Sequence, residues 1–306
     1  MNANGQGDRA RLDQWMAQRV LQVEEALQSL LVGSEVEPVA LHSAIRWAAL
    51  GAGKRIRACM VYAAAHACHR TPDLALQQAL NRAACAVELI HAYSLIHDDL
   101  PCMDDDPVRR GRPATHVQFG EAIALLAGDA MQPLAFEWLS EMPVAPALVV
   151  QAVRTLAAAI GSQGMAGGQA VDLLSTGQVL DQEALAQMHA KKTGSLLSAS
   201  AQLGAIVVGA SSQQRAALRA YSEAIGLAFQ VVDDVLDATA DSAQLGKTAG
   251  KDAQAEKATY VGLLGVDGAK SLAQDLHRSA NDAIVTFGRH GEYLRALADF
   301  IVQRSY

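Results

Sequence analysis

The stretch "AVELIHAYSLIHDDLPCMDDDPVRRGRP" (residues 86–113) is the most informative part of the sequence. It joins a helical pattern to an acidic segment and then to a basic one. Its first eleven residues place apolar side chains three and four positions apart, which predicts a buried helix. Pro101 cannot continue the hydrogen-bond ladder of a helix, so the helix is expected to end just before it. Five aspartates lie in residues 98–106, and three arginines follow in residues 109–112. The sequence therefore predicts a buried helix with charged groups gathered at one end.

The composition extends this helical pattern to the whole chain. Of the 306 residues, 51% are hydrophobic and only 5% are aromatic, which favours helices over sheets. Pro146 is the last of the eight prolines, so no proline interrupts the helices predicted after it. We predict an all-α fold, with residues 1–306 forming one domain of antiparallel helices around a deep central cavity. Residues 1–10 are expected to be flexible.

Charge, cysteine usage and hydropathy limit the class of protein. A net charge of −7 argues against nucleic acid as the main partner. The four cysteines lack metal-finger spacing, so free thiols in a reducing compartment are expected. The first fifteen residues lack the apolar segment of a signal peptide, and no run of about 18 apolar residues occurs. We therefore predict a cytoplasmic protein with no membrane span.

A second acidic cluster lies in "FQVVDDVLDAT" (residues 229–239). Asp233 and Asp237 are four residues apart and share one face of the predicted helix. Carboxylates crowded on a buried helix repel one another unless a cation neutralises them. Two such helix ends facing across a cavity would form an all-oxygen site, which suits Mg²⁺. The predicted metal ligands are Asp98, Asp99, Asp104, Asp233, Asp234 and Asp237.

Basic residues occur in four short segments, "GAGKRIR" (51–57), "VRRGR" (108–112), "KKTG" (191–194) and "GKTAGKDAQAEK" (246–257). Any one of these charges alone is most often a surface residue, and a single DDxxD motif is usually a solvated helix face. Arginine forks and lysine point charges are nevertheless what diphosphate oxygens require. Acidic clusters for metal, basic clusters for phosphate and an apolar cavity together predict a site for a diphosphate with an apolar tail.

These segments resemble those of the trans-isoprenyl diphosphate synthases, most closely the short-chain bacterial farnesyl diphosphate synthases. The resemblance spans roughly residues 40–306 and includes, besides the segments above, "LAGDAM", "GGQAVDL", "GLAFQVVDDVLD", "LGKTAGKDAQAEKATY" and "IVQR". It implies the isoprenoid synthase fold and a homodimer. It also implies a prenyltransferase that couples isopentenyl diphosphate to dimethylallyl or geranyl diphosphate and releases pyrophosphate.

The resemblance also implies roles for individual residues. The six aspartates would hold about three Mg²⁺ ions on the allylic diphosphate. The same diphosphate would be bound by Arg109, Lys192, Lys247 and Lys257. Isopentenyl diphosphate would be bound by Lys54, Arg57, His91 and Arg110. Near the allylic cation the expected catalytic groups are Lys192, Thr193 and Gln230. The shell around the site would include Gln169 and Asp172, although these two residues can equally serve to cap or bridge helices.

Product length is expected to depend on the helical turn before the first aspartates. Ser94 precedes Asp98 by four residues, about 5.4 Å along a helix, and Tyr93 precedes it by five. Farnesyl-type relatives tend to carry an aromatic residue at the position of Tyr93, so we predict a mainly C15 product. In the alternative interpretation Tyr93 belongs to helix packing and the floor of the cavity is built elsewhere.

Other functions remain open at this stage. Geranylgeranyl diphosphate synthase is the nearest alternative, followed by a non-catalytic partner subunit of a prenyl synthase. A terpene cyclase would not need Lys54, Arg57 and Arg110 for a second diphosphate, and a di-iron bundle would carry Glu-x-x-His pairs. His66, His69 and His97 have no partners at metal-ligand spacing and are expected to have no functional role.

Overall fold

The computed structural model describes residues 3–51, 53–68, 72–178, 180–239 and 258–303, with side chains from residue 11 onward. The helices of its first half are α1 (Ala3–Leu30), α2 (Val39–Ala49), α3 (Ile56–Cys68), α4 (Leu74–Asp98), α5 (Thr115–Phe119), α6 (Glu121–Ser140) and α7 (Pro146–Ile160). Those of its second half are α8 (Met165–Leu174), α9 (Gln182–His189), α10 (Ser195–Val207), α11 (Ser212–Thr239), α12 (Tyr260–Ala283) and α13 (Glu292–Val302). The predicted all-α fold is confirmed.

Three short elements complete the described chain. A π-helical turn (Ala190–Gly194) leads into α10, and a 3₁₀ segment (Val285–Gly291) leads into α13. In the described residues, the only strands are β1 (Val108–Arg109) and β2 (Arg112–Pro113), which form a small antiparallel hairpin. The sequence pattern did not predict this hairpin.

Helix α4 begins and ends where local chemistry requires it. The Asp73 carboxylate accepts a hydrogen bond of 2.8 Å from the Leu76 amide, which caps the first turn. Asp99 is the C-cap residue, and Pro101 follows within two positions. Between these ends the helix is buried over most of its length, so its termination fixes where Asp98 and Asp99 stand.

Helix α10 lies at the centre of the packing. It contacts α3, α4, α7 and α11, and nearly all of its side chains are buried. The apolar stretch 191–210 thus forms a helix enclosed on most sides, as its small and aliphatic residues predict. Because α10 follows directly from the π-helical turn, the centre of the bundle also holds Lys192 and Thr193 in place.

Two features of the chain bear on the predictions above. Lys247 and Lys257 lie outside the described residues. Within the described ranges, no helix is both long and apolar enough to cross a bilayer.

Candidate functional site

The first acidic cluster stands at the buried end of α4. Asp99 is only 2% exposed and forms an ion pair with Arg109, whose Nε lies 3.0 Å from Oδ1 and 3.2 Å from Oδ2. Asp106 is also buried and lies 3.8 Å from the same guanidinium. Arg109 is therefore held against the cluster by two carboxylates.

The loop after α4 folds back over the helix end. The Asp104 amide donates to the Asp98 carbonyl at 2.8 Å, and the Asp106 amide donates to the Asp99 carbonyl at 3.3 Å. Burial raises the pKa of Asp98 to about 6, and the negative charge of Asp104 adds to this effect while Lys192 opposes it. The loop thus brings Asp104 close enough for its charge to act on Asp98.

The hairpin after this loop separates three neighbouring arginines. Arg110 and Gly111 have φ angles of 54° and 73°, the positive values of a type I′ turn. Arg109 on β1 reaches Asp99, whereas Arg110 at the turn points toward the Gly51 carbonyl, 3.4 Å away. Arg112 lies over the Trp47 ring at 3.8 Å and donates to its carbonyl at 2.7 Å. Arg112 is therefore part of the packing between α2 and the hairpin.

Arg55 has a structural role of the same kind. It is 4% exposed and forms ion pairs with Glu24 at 2.6 Å and with Glu88 at 3.3 Å. It also donates to the carbonyls of Ala49 and Gly51. These contacts fix the segment 53–57, in which Lys54 remains exposed and Arg57 faces inward.

Arg57, His91 and Arg110 form a partly buried cationic group. Burial lowers the pKa of Arg57 to about 10, and the charge of Arg110 acts in the same direction. Burial also lowers the pKa of His91 well below its usual value, with Arg57 and Arg110 adding to the effect. The imidazole is therefore neutral beside two guanidinium groups, and this part of the cleft favours an anion.

The second acidic cluster lies near the end of α11. Asp234 is 3% exposed and accepts hydrogen bonds from the Tyr260 amide at 2.8 Å and from Gln230 Nε2 at 3.1 Å. The Thr193 hydroxyl in turn donates to Gln230 Oε1 at 3.3 Å. Asp234 thus connects α11 to the start of α12 and, through Gln230, to the π-helical turn.

The π-helical turn connects the two acidic clusters. Lys192 acts on the charge of Asp98 in the first cluster, and Thr193 contacts Gln230, which donates to Asp234 in the second. Asp233 acts on the charge of Arg57, and Asp237 is 7% exposed. Both acidic clusters are therefore tied to the same turn of the chain.

Lys192 is positioned by α8. Its Nζ lies 2.5 Å from an Asp172 carboxylate oxygen. A Cβ on Gly168 would lie 2.2 Å from the Lys192 amide nitrogen, so only glycine allows α8 this close to the π-helical turn. Gln169 is on the same helix, and its Nε2 is buried without a hydrogen-bond partner among the described residues.

The donor chemistry fits a hard divalent cation. In the part of the chain that the structure describes, no three His, Cys, Asp or Glu side chains are close enough to hold an ion alone. Mg²⁺, however, is commonly held by one or two carboxylates with water and substrate phosphates completing its shell. Asp98 and Asp104 offer only oxygen atoms, and burial, with the charge of Asp104 adding to it, raises the pKa of Asp98, so a bound cation would stabilise its charged form.

Glu88 is a residue of this region that the sequence analysis did not select. Its carboxylate accepts from the Ala58 amide at 3.0 Å while it pairs with Arg55. The available signal was a lone acidic residue within the apolar run 86–96, since a buried charge requires a partner.

The chain matches known proteins over most of its length. The family model described as polyprenyl synthetase matches residues 39–284. Geranylgeranyl pyrophosphate synthase 7 of Arabidopsis thaliana is 47% identical over 92% of this chain and 81% of its own length. Farnesyl diphosphate synthase of Haemophilus influenzae is 44% identical over 92% of this chain and 95% of its own. A Helicobacter pylori geranyltransferase, solved with magnesium and isoprenyl diphosphate, superposes with a TM-score of 0.84 at 32% identity, over 93% of this chain and 95% of that one.

The fold and the charged cleft, together with these similarities, define an all-α prenyltransferase of the short-chain class. The chain belongs to the polyprenyl synthetase family.

Proposed function

We propose that the protein condenses isopentenyl diphosphate with dimethylallyl and geranyl diphosphates in a Mg²⁺-dependent reaction that yields mainly farnesyl diphosphate and pyrophosphate. The observation that carries this proposal is the connection of both acidic clusters to one π-helical turn, since Lys192 acts on the charge of Asp98 and Thr193 reaches Asp234 through Gln230. Such an arrangement accommodates two diphosphates and the ions that neutralise one of them.

The allylic diphosphate is assigned to the side of the cleft that carries Arg109 and Lys192. Both cations are already oriented by carboxylates, Arg109 by Asp99 and Lys192 by Asp172. A preorganised cation costs little reorganisation when charge develops on the leaving group. Lys247 and Lys257 stay assigned to the same diphosphate by family resemblance.

Isopentenyl diphosphate is assigned to Arg57, His91 and Arg110, with Lys54 at the exposed edge. Lys54 Nζ lies 5.3 Å from the centre of the Phe300 ring on α13, so this lysine contacts the last described helix. The neutral His91 imidazole donates a hydrogen bond, while the two guanidinium groups supply the charge.

The metal ions would be held by Asp98, Asp104, Asp233 and Asp237, and when bound they neutralise the departing diphosphate. Asp99 and Asp234, the other two predicted ligands, keep that assignment and also accept hydrogen bonds from Arg109 and from the Tyr260 amide. The Thr193 and Gln230 oxygen atoms stabilise the allylic cation, and the apolar helices keep water from it. No side chain is assigned as the base, since pyrophosphate can accept the proton.

The C15 product is proposed from Tyr93, which is 8% exposed and lies one turn before the acidic cluster. Burial and then the charge of Asp98 raise the pKa of Tyr93 to about 12, so its hydroxyl group stays protonated at neutral pH. Relatives carry both farnesyl and geranylgeranyl names, and geranylgeranyl diphosphate therefore remains the second candidate.

The experiment incubates purified protein with Mg²⁺, labelled isopentenyl diphosphate and C5, C10 or C15 allylic diphosphates, followed by chromatography of the dephosphorylated products. We expect C15 to dominate, Tyr93→Ala to shift the products toward C20 and longer, and Ser94→Phe to shift them toward C10. An unchanged C15 product from both variants would place the floor of the cavity elsewhere. Mainly C20 from the unmodified protein would favour the second candidate.

A homodimer, a cytoplasmic location and one domain over residues 1–306 remain proposals. The dimer is supported by apolar side chains exposed on α6 and α7, namely Leu125 (46%), Leu126 (52%) and Val150 (57%). Sedimentation equilibrium should give twice the 32.3 kDa mass of the chain, and Leu126→Glu should lower it.

A further inference from the structure

His97 contacts Tyr93 on its own helix and the backbone of α6. It lies on α4 four residues after Tyr93, so the two side chains share a helix face. The rings meet edge to face, with their centres 5.7 Å apart and their planes at 75°. His97 therefore borders the residue to which we assign product length.

Helix α6 holds the other side of the His97 ring. The Nε2 atom of His97 lies 3.1 Å from the Leu125 carbonyl oxygen, and this hydrogen bond requires the proton on Nε2. The exposed Asp129 carboxylate lies further away, at 3.9 Å from the same nitrogen. The imidazole is thus attached to the backbone of α6 while it touches Tyr93.

Gly128 leaves the space on α6 that the His97 ring occupies. A Cβ at position 128 would lie 2.1 Å from His97 Nε2 and 2.5 Å from Cδ2, well inside any real contact distance. Gly128 is buried within α6, where alanine would otherwise be the better helix former. The glycine therefore leaves room for the ring at position 97.

We propose that His97 is a positioning residue that fixes the Tyr93 ring and thereby helps to set product length. Its own ring is held by packing against Gly128 and by the hydrogen bond to the Leu125 carbonyl. A tyrosine ring has several rotamers, and the one it adopts decides how much of the cavity it fills. With His97 in place, the ring has a fixed neighbour on the α6 side. This inference rests on the proposed function.

The test compares His97→Ala and His97→Phe with His42→Ala, a control on α2 whose ring also bonds a backbone carbonyl (Val36, 2.8 Å). We expect His97→Ala to shift products from C15 toward C20 at similar total turnover. His97→Phe keeps the ring edge and should retain C15, and His42→Ala should match the unmodified protein. Gly128→Ala should push the imidazole toward Tyr93 and shift products toward C10.

A second measurement does not depend on turnover. In protein labelled with 3-fluorotyrosine, the ¹⁹F resonance that is missing from Tyr93→Phe identifies Tyr93. We expect His97→Ala and Gly128→Ala to move this resonance and His42→Ala to leave it in place. A resonance that moves without any change in product length, or one that does not move, would overturn the proposal. A chain inactive with every allylic substrate would instead refute the proposed function, and the resonance would still show whether His97 positions Tyr93.

Discussion

Single residues of the same type have different tasks in this cleft because their backbones direct them differently. Arg109 and Arg110 are adjacent, yet the positive φ at Arg110 turns its side chain toward Gly51 while Arg109 stays with Asp99. Arg55 and Arg112 are used for packing. The sequence predicted a basic site, but it could not assign these tasks, since hairpin geometry and buried partners decide them.

The two adjacent arginines should therefore affect different substrates. We expect Arg110→Ala mainly to raise KM for isopentenyl diphosphate, and Arg109→Ala mainly to weaken use of the allylic diphosphate. Steady-state kinetics with each substrate varied in turn measures this division. Equal effects of both variants on both substrates would argue against separate sites.

The two acidic clusters should both be essential for turnover. We expect Asp98→Asn and Asp233→Asn each to lower kcat by at least about a hundredfold, because each removes a proposed metal ligand. Circular dichroism should show an intact helical fold. The control is Asp105→Asn, which keeps a residue that tolerates the positive φ of 46° at this position. Near-normal turnover in either of the first two variants would exclude that aspartate as a required ligand.

His189 gives stability a predictable pH dependence. Burial lowers the pKa of this histidine from 6.5 to about 4, so the unfolded chain binds the extra proton first as pH falls. Its contribution is complete above pH 6.5 and is lost between 6.5 and 4, by at most about 3 kcal/mol. We expect the free energy of unfolding, measured in urea, to fall less between pH 7.0 and pH 4.5 for His189→Phe than for the unmodified protein. An unchanged difference would mean that His189 is charged when folded.

Among the elements, the helices follow from the sequence and the short connections do not. The apolar spacing in α4 and the enclosed character of α10 are visible in the residues. The hairpin at 108–113 is closed by a two-residue turn at Arg110 and Gly111, and the π-helical turn lies against Gly168. Such elements are decided by tertiary contacts, which local patterns do not report.

The segment 53–57 should depend on Glu88 for its stability. Arg55 and Glu88 are both nearly fully buried, and removing the charge of Glu88 leaves the Arg55 guanidinium with the partly exposed Glu24 as its ion-pair partner. We expect Glu88→Gln to lower the free energy of unfolding by about 3 kcal/mol. The matched control is Glu141→Gln, which removes the exposed pair with Arg82 and should cost about 0–1 kcal/mol. Comparable losses in urea unfolding would show that the buried pair is not special.

At the scale of the whole molecule, the bundle brings together residues that are far apart in the chain. Asp98 ends α4 and Asp233 lies on α11, and between them α10 and the π-helical turn carry Lys192 and Thr193. The sequence predicted that two acidic helix ends facing across a cavity would form an all-oxygen site, from the repulsion of crowded carboxylates and the preference of Mg²⁺ for oxygen. It could not supply the ties that hold them, such as the hydrogen bonds that Asp234 accepts from Gln230 and the Tyr260 amide.

The most direct test of this account is a crystal structure with Mn²⁺ in place of Mg²⁺, isopentenyl diphosphate and an unreactive thio analogue of geranyl diphosphate. Anomalous scattering locates the ions independently of the protein atoms. We predict ions beside Asp98 and Asp104 and beside Asp233, all on the diphosphate of the analogue, with isopentenyl diphosphate against Arg57 and Arg110. Ions at only one acidic cluster, or an analogue diphosphate that contacts neither, would contradict the account.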